Sequence, residues 1–324
     1  MALPREDGIV IGELEPGPRN SIADVGVRVG HVTVEWTGVT AVVPPLVPAP
    51  AGLAVLNGAG ELTGALEIRE WGRLATPVYL TSTHAVGRVY DGAVLAAIAA
   101  DPSVGVDEVV IPVVGECDDS WLSDARVRHV QPEDVGRALD IAELDFEQGA
   151  LGAGAGMVCF GWKGGIGSSS RRAGESTVGV LVMTNFGTAE QLRVDGLPVG
   201  SLLGVSGARP LKADGSCIVV VATDAPLTPP QLERLARRAG LGLARTGSVA
   251  HHGSGEIFVA FSTSDERTFP DGELNELFEA TVDATEEAVL CSLWAAVDTI
   301  GREGRGVRAL PRERVLELYR GRGR

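Results

Sequence analysis

Residues 214–226 read Asp-Gly-Ser-Cys-Ile-Val-Val-Val-Ala-Thr-Asp-Ala-Pro. The run Cys217–Ala222 is apolar without alternation and rich in β-branched residues. That is the pattern of a strand covered on both faces, not of one lying half in water. Its start is unusual. Gly215 and Ser216 place a flexible residue and a hydroxyl directly at the mouth of a buried strand. Taken alone, a turn leading into the strand accounts for that pair.

Working outward, the same reading predicts strands over Val27–Val34, Val109–Val114, Val178–Thr184 and Glu256–Ser262. Helical spacing predicts helices over His84–Ala100, Pro132–Glu143 and Pro229–Ala239. The last begins on Pro, carries Leu232, Leu235, Ala236 and Ala239 on one face, and has Gly240 as its expected stop. The longest helix is expected over Glu273–Ile300, with a stripe through Leu274, Leu277, Phe278, Thr281, Ala284, Ala288, Cys291 and Ala295. Strands and helices interleave from end to end, with neither a linker-like shift in composition nor a repeat. One α/β domain over 1–324, built of layered sheets and helices, is the expectation.

Composition agrees with a folded chain. Of 324 residues, 44 % are hydrophobic and 43 are glycine, with no collagen-like period. The glycines must serve turns, bulges, close packing or ligand loops. Net charge is −15, so phosphate backbones are repelled and nucleic acid is not an expected partner. Only residues 301–324 dissent, with eight Arg against three acids. They read as a short amphipathic helix (Val315, Leu316, Tyr319) with a solvated tail. No apolar stretch approaches the length of a membrane span, and the first twenty residues lack the apolar core of a signal peptide. Cys117, Cys159, Cys217 and Cys291 are widely spaced, which suits reduced thiols and a cytoplasmic protein.

Several familiar patterns fail. Gly152-Ala-Gly-Ala-Gly156 has G-x-G-x-G spacing, not that of a dinucleotide loop. Lys163-Gly-Gly165 is not a P-loop, and no G-x-S-x-G elbow occurs. His251 and His252 would diverge on a strand and share no metal. Asp118, Asp119 and Asp124 read as a solvated acidic loop in preference to a weak cation site. No metal or cofactor is expected.

Three polar clusters remain at the ends of apolar strands: Asp214–Cys217, His252-Gly-Ser-Gly-Glu256, and Met183-Thr-Asn-Phe-Gly187. In an extended chain Ser254 and Glu256 point to the same side. Each cluster alone reads as turn chemistry. Together they hold a hydroxyl nucleophile, a carboxylate–hydroxyl pair and an amide donor, the residue types that nucleophilic acyl transfer requires.

These segments carry a resemblance. Asn20-Ser-Ile-Ala-Asp-Val25 with Val27–His31, Asn57-Gly-Ala-Gly-Glu-Leu-Thr-Gly64 and Pro112-Val-Val-Gly-Glu116 contribute to it. So do Gly152–Met157 with Lys163-Gly-Gly165, Asn185-Phe-Gly187 with Arg193–Gly196, Gly215-Ser216 with Ala222–Pro226, and His252–Glu256 with Ala260–Ser262. In this order they resemble the L-aminopeptidase/D-esterase family, which includes the DmpA-like and β-peptidyl aminopeptidases. The resemblance implies a four-layer α-β-β-α sandwich of the N-terminal-nucleophile hydrolases. It implies a precursor that cleaves itself between Gly215 and Ser216, leaving 1–215 and 216–324 associated. Ser216 then carries nucleophile and α-amine, Ser254 and Glu256 activate it, and Asn185 is the oxyanion donor. Glu116 holds the free ammonium of a small peptide, amide or ester substrate, D- or β-amino acids being tolerated. Tetramers of processed pairs are usual in the family.

One departure stands out. Family members have a Tyr near Asp118 as a further oxyanion contact, and an anionic Asp118 cannot play that part. Trp121, another donor or a backbone N–H substitutes, or substrate choice differs. The rival readings are an acyltransferase of the ornithine acetyltransferase type and an unprocessed, non-catalytic homologue.

Overall fold

The computed structural model describes residues 3–204, 215–266 and 268–322. Asp214 of the cluster above lies outside them. In chain order the main strands are β1 (Arg28–Val34), β2 (Thr37–Val43), β3 (Ala49–Gly58), β4 (Arg73–Leu74), β5 (Val78–Ser82) and β6 (Val113–Cys117). They continue with β7 (Val158–Cys159), β8 (Trp162–Lys163), β9 (Ile166–Ala173), β10 (Ser176–Asn185), β11 (Ser216–Thr223) and β12 (Gly255–Ser262). The principal helices are α1 (Ala65–Trp71), α2 (Val86–Ala100), α3 (Glu133–Asp140), α4 (Val199–Leu203), α5 (Pro229–Arg245), α6 (Leu274–Trp294) and α7 (Arg312–Gly321).

Two sheets form the centre. One has the order β1-β2-β5-β6, the other β4-β3-β12-β11-β10-β9. Pleating divides each central strand between two cores. Ile218, Val220 and Ala222 of β11 join Val42, Val78, Leu80 and Val113 of the smaller sheet in the core between the sheets. Val219 and Val221 face the other way, onto Leu232, Leu235, Ala284 and Ala288 of α5 and α6. A third core sets Val89 and Ala93 of α2 and Val135 and Ala138 of α3 against Val39, Ala41, Tyr79 and Val114. Three stacked cores make four layers, α-β-β-α, in one domain. Unbroken apolar strands such as β11 follow from this, because neither face meets water.

Several boundaries differ from expectation. The strand expected over Val109–Val114 begins at Val113. Val109 and Ile111 stay exposed, and pairing with β5 starts at Val78↔Val113. The helix expected over Pro132–Glu143 is shorter, Glu133–Asp140. α5 does not stop at Gly240 but runs to Arg245. Its glycines serve packing: a Cβ on Gly242 would lie 2.5 Å from Thr285 Cβ on α6. α6 ends at Trp294, and Thr299–Ile300 instead pairs with Gly306–Val307 as a small ribbon. The predicted stripe is buried as far as Cys291, while Ala295 lies past the helix end and is half-buried; most of the other side of α6 is buried too, including Asp283, Glu286 and Glu287. Arg171 on β9 pairs with Glu287 there.

Candidate active site

Ser216 is the first residue of β11. The antiparallel register sets it opposite Asn185, the last residue of β10, and the parallel register beside Gly255, the first of β12. Directly opposed residues share a face of the sheet, so Ser216 and Asn185 present their side chains on the same side at one sheet end. The Gly215 carbonyl accepts Ser216 Oγ–H at 2.7 Å and Gly255 N–H at 3.1 Å. It is thus already polarised by a backbone donor. A Cβ on Gly215 would come within 2.2 Å of the Asn185 carbonyl oxygen, so this position has no room for a side chain.

Both ends of the Asn185 amide are fixed. Oδ1 accepts the Val158 N–H at 3.0 Å, and Nδ2 donates to the Asp118 carbonyl at 2.9 Å. The first partner only donates and the second only accepts, so the amide has one orientation. Nδ2 carries two hydrogens and uses one. The second has no hydrogen-bond partner among the described residues.

Ser254 Oγ donates to Glu256 Oε1, as same-side placement predicted. Glu256 is buried, and burial pushes its carboxyl pKa up, with the Ser254 bond opposing. Its register partner on β11 is Cys217. Among the described residues no side-chain hydrogen bond joins this pair to Ser216 Oγ. The link runs through Gly255, between them in sequence and beside Ser216 in the sheet.

Glu116 lies near the end of β6, on the other sheet. Oε1 accepts Glu61 N–H at 2.9 Å and Oε2 accepts the Thr83 hydroxyl. Burial raises its pKa, opposed by those two bonds. Gly60 stands between it and the nucleophile end: a Cβ there would lie 3.2 Å from Glu116 Oε1 and 3.5 Å from Gly255 Cα. The Asn57–Gly64 motif thus brings the two sheets together at this point.

The remaining predicted residues sit differently. The Asp118 carboxylate is turned onto Ser120, accepting its N–H at 3.0 Å and its hydroxyl at 2.9 Å. Its carbonyl, not its side chain, reaches Asn185. Trp121 packs with Leu122, Val158 and Val307, and Arg305 stacks 4.7 Å from its ring centroid. The solvated acidic loop is corrected at Asp119, which is buried, accepts Ser82 Oγ–H at 2.8 Å, and has its pKa raised to about 6 by burial. Sequence reasoning missed Thr83 and the backbone donors of Glu61, Val158 and Gly255. Backbone N–H groups leave no mark in a sequence. No group of three or more His, Cys, Asp or Glu among the described residues is arranged to hold a metal.

A strand-initial serine faced by an amide donor, at the end of a sheet in an α-β-β-α sandwich, defines an N-terminal-nucleophile type of hydrolase. Comparison with known proteins narrows this. The chain belongs to peptidase family S58, whose model matches residues 20–307. It is 40% identical to the beta-peptidyl aminopeptidase BapA of Sphingosinicella microcystinivorans, over 94% of this chain and 90% of that one. The structure of the PH0078 protein of Pyrococcus horikoshii OT3 superposes with TM-score 0.95 at 41% identity, covering 100% of both chains. The L-aminopeptidase D-Ala-esterase/amidase of Ochrobactrum anthropi, a prototype serine aminopeptidase and a variant of the Ntn hydrolase fold, superposes with TM-score 0.92 at 35% identity. That match covers 100% of this chain and 99% of the other. The protein is a hydrolase, a serine aminopeptidase of this fold.

Proposed function

We propose that this chain cleaves itself between Gly215 and Ser216 and then removes N-terminal residues from short peptides, amides or esters bearing a free amino group. One observation carries the reading: Ser216 and Asn185 face each other across β10 and β11 while Gly255 N–H holds the Gly215 carbonyl. In processing, Ser216 Oγ attacks the Gly215 carbonyl carbon. The C–N bond breaks as the ester forms, the hydroxyl proton passes to the released amine, and water hydrolyses the ester to leave 1–215 and 216–324. The reaction is intramolecular, so orientation supplies several kcal/mol of the barrier.

The new α-amine of Ser216 has an ordinary pKa of about 7.7–8.0, suited to a general base. In hydrolysis Ser216 Oγ takes the substrate acyl group and releases the amine or alcohol, and water then frees the acid. The Ser254–Glu256 pair activates the nucleophile, Asn185 Nδ2–H meets the oxyanion, and Glu116 binds the substrate ammonium. With the Asp118 carboxylate occupied by Ser120, the tyrosine's place falls to Asn185 and backbone N–H groups, and Asp118 and Trp121 border the substrate. The names of the similar proteins support β-aminoacyl and D-aminoacyl substrates.

Assembly into homo-oligomers, as tetramers of processed pairs, is part of the proposal. Exposed Leu56 and Trp71, beside a groove of about 960 Å³, supply an apolar face for it. A cytoplasmic setting suits the four free, buried cysteines. No helix among the described residues is long and apolar enough to cross a membrane.

Intact mass of the purified protein tests the reading. Two fragments are expected from the wild type and one chain from Ser216→Ala. Fragments from Ser216→Ala would remove Ser216 as nucleophile. Acyl transfer between amines without hydrolysis would replace the peptidase by a transferase.

A further inference from the structure

The glycine-rich turn 152–157 and Lys163 match no ligand-binding pattern, yet they converge next to Asn185. Lys163 is completely buried. Its Nζ donates to the carbonyls of Gly154 at 3.1 Å, Met157 at 2.8 Å and Gly164 at 2.8 Å. Three donors meet three acceptors, so the ammonium form has every N–H used, although burial pulls its pKa down to about 7, with Asp119 opposing. Those carbonyls flank a hairpin in which Val158 pairs with Lys163 and Cys159 with Trp162. The same hairpin makes two contacts with the end of β10. Val158 N–H donates to Asn185 Oδ1 at 3.0 Å, and Phe160 N–H to the Phe186 carbonyl at 2.7 Å. Gly187, at φ 81°, leaves room for the Phe160 ring, which a Cβ there would meet at 2.4 Å.

The turn runs close to its neighbours: a Cβ on Gly154 would lie 2.6 Å from Ile166 N, and one on Gly156 2.4 Å from the Trp36 carbonyl oxygen. A purely apolar residue at 163 would take the Nζ donor from the buried Gly164 carbonyl, and one donor of two from the carbonyls of Gly154 and Met157, which also accept the N–H of Met157 and Gly164, a costly arrangement.

We propose that Lys163 is a positioning residue for Asn185: its ammonium ties the Gly154, Met157 and Gly164 carbonyls, fixes the Val158 N–H, and so aims the Asn185 amide at the reacting carbonyl without touching substrate. This rests on Asn185 being the oxyanion donor. The effect then belongs to the turnover step and disappears when Asn185 has no amide to aim.

A double-mutant cycle on the processed pair of chains, 1–215 with 216–324, tests both. Hydrolysis of a β-alanyl p-nitroanilide is followed in wild type, Asn185→Ala, Lys163→Met and the double variant, with thermal unfolding measured on each. Asn185→Ala is expected to lower kcat ~10²–10³-fold, the usual loss for one oxyanion donor. Lys163→Met is expected to lower kcat about 10²-fold, the scale of a misplaced catalytic group, with KM unchanged. In the Asn185→Ala background Lys163→Met should change kcat by no more than about twofold, the margin of additivity for independent sites. Losses that multiply while Asn185→Ala is itself impaired overturn the role of Lys163 alone. An Asn185→Ala variant with wild-type kcat removes the oxyanion reading beneath it. If Lys163→Met does not accumulate as folded protein, Lys163→Gln, which keeps two of the three N–H donors, carries the same cycle. Failure of both to fold assigns Lys163 to stability and refutes the proposal.

Discussion

Glu116 shows how a single side chain is tuned by its surroundings. Burial disfavours its charged form and raises its pKa above 4.5, while the Thr83 hydroxyl and the Glu61 N–H hold the carboxylate in place. Only the ionised form attracts a substrate ammonium. As pH falls through the raised pKa, that attraction is lost. KM for a free-amine substrate should therefore climb on the acid side, beginning above the ordinary glutamate pKa. Glu116→Gln should raise KM at neutral pH and abolish this acid limb, with self-cleavage scarcely affected. A KM–pH profile read beside intact mass checks it, and equal loss of both activities would refute the anchoring role. At this scale the sequence was legible where a candidate side chain stands out by type. Ser216, Asn185, Ser254 and Glu256 do so at strand ends, whereas Glu116 was marked only by the family resemblance. Thr83 could not be picked out, because a lone hydroxyl after a strand is ordinary turn chemistry.

Among the elements, glycines decide how closely neighbours approach. Gly167 on β9 faces α6, and a Cβ there would lie 1.9 Å from the Ala288 carbonyl oxygen. Backbone atoms cannot swing aside like a side chain, so Gly167→Ala forces the helix off the sheet. Overpacking of this kind typically costs about 1–3 kcal/mol. A lower thermal midpoint with unchanged KM is the expected result, read by calorimetry and initial rates. The same physics explains the misjudged end of α5. Glycine after an apolar stripe usually terminates a helix, but Gly242 is there to let α6 come close, and the helix continues through it. At the other end the expected start on Pro holds: Pro229 is the first helical residue, directly after the N-cap Thr228, whose capping box with Gln231 closes that end. Local chemistry sets a helix start, whereas its end here depended on a neighbour distant in sequence.

For the molecule as a whole, stability depends on charges buried against α6. Glu286 has its pKa raised from 4.5 to about 7, chiefly by burial, with Asp195 and Asp283 adding and Arg245 opposing. A carboxyl whose folded pKa exceeds its unfolded value favours the fold when protonated. That contribution is present below about pH 4.5 and is lost as pH rises to 7. Glu286→Gln should therefore raise the thermal midpoint at pH 8, by about 2–4 °C per kcal/mol gained, and leave it nearly unchanged at pH 4. Scanning calorimetry at both values checks the sign. A midpoint that falls at pH 8 would show that the Arg245 contact, at 3.6 Å, outweighs burial.

The sequence by itself determined the element types, the layered α/β class and the family, and it singled out candidates for the reactive side chains. Those depend on short-range periodicity and on residue chemistry. The tertiary structure decided what meets what. Sheet register set Asn185 opposite Ser216 and Gly255 beside it, and Gly60 brought the second sheet's Glu116 towards them. It also turned the Asp118 carboxylate onto Ser120 while its carbonyl held the Asn185 amide. It gave Lys163, a residue without a recognisable motif, three carbonyls to tie. Such contacts join segments far apart in the chain, often through backbone groups that every residue shares, and no local pattern encodes them.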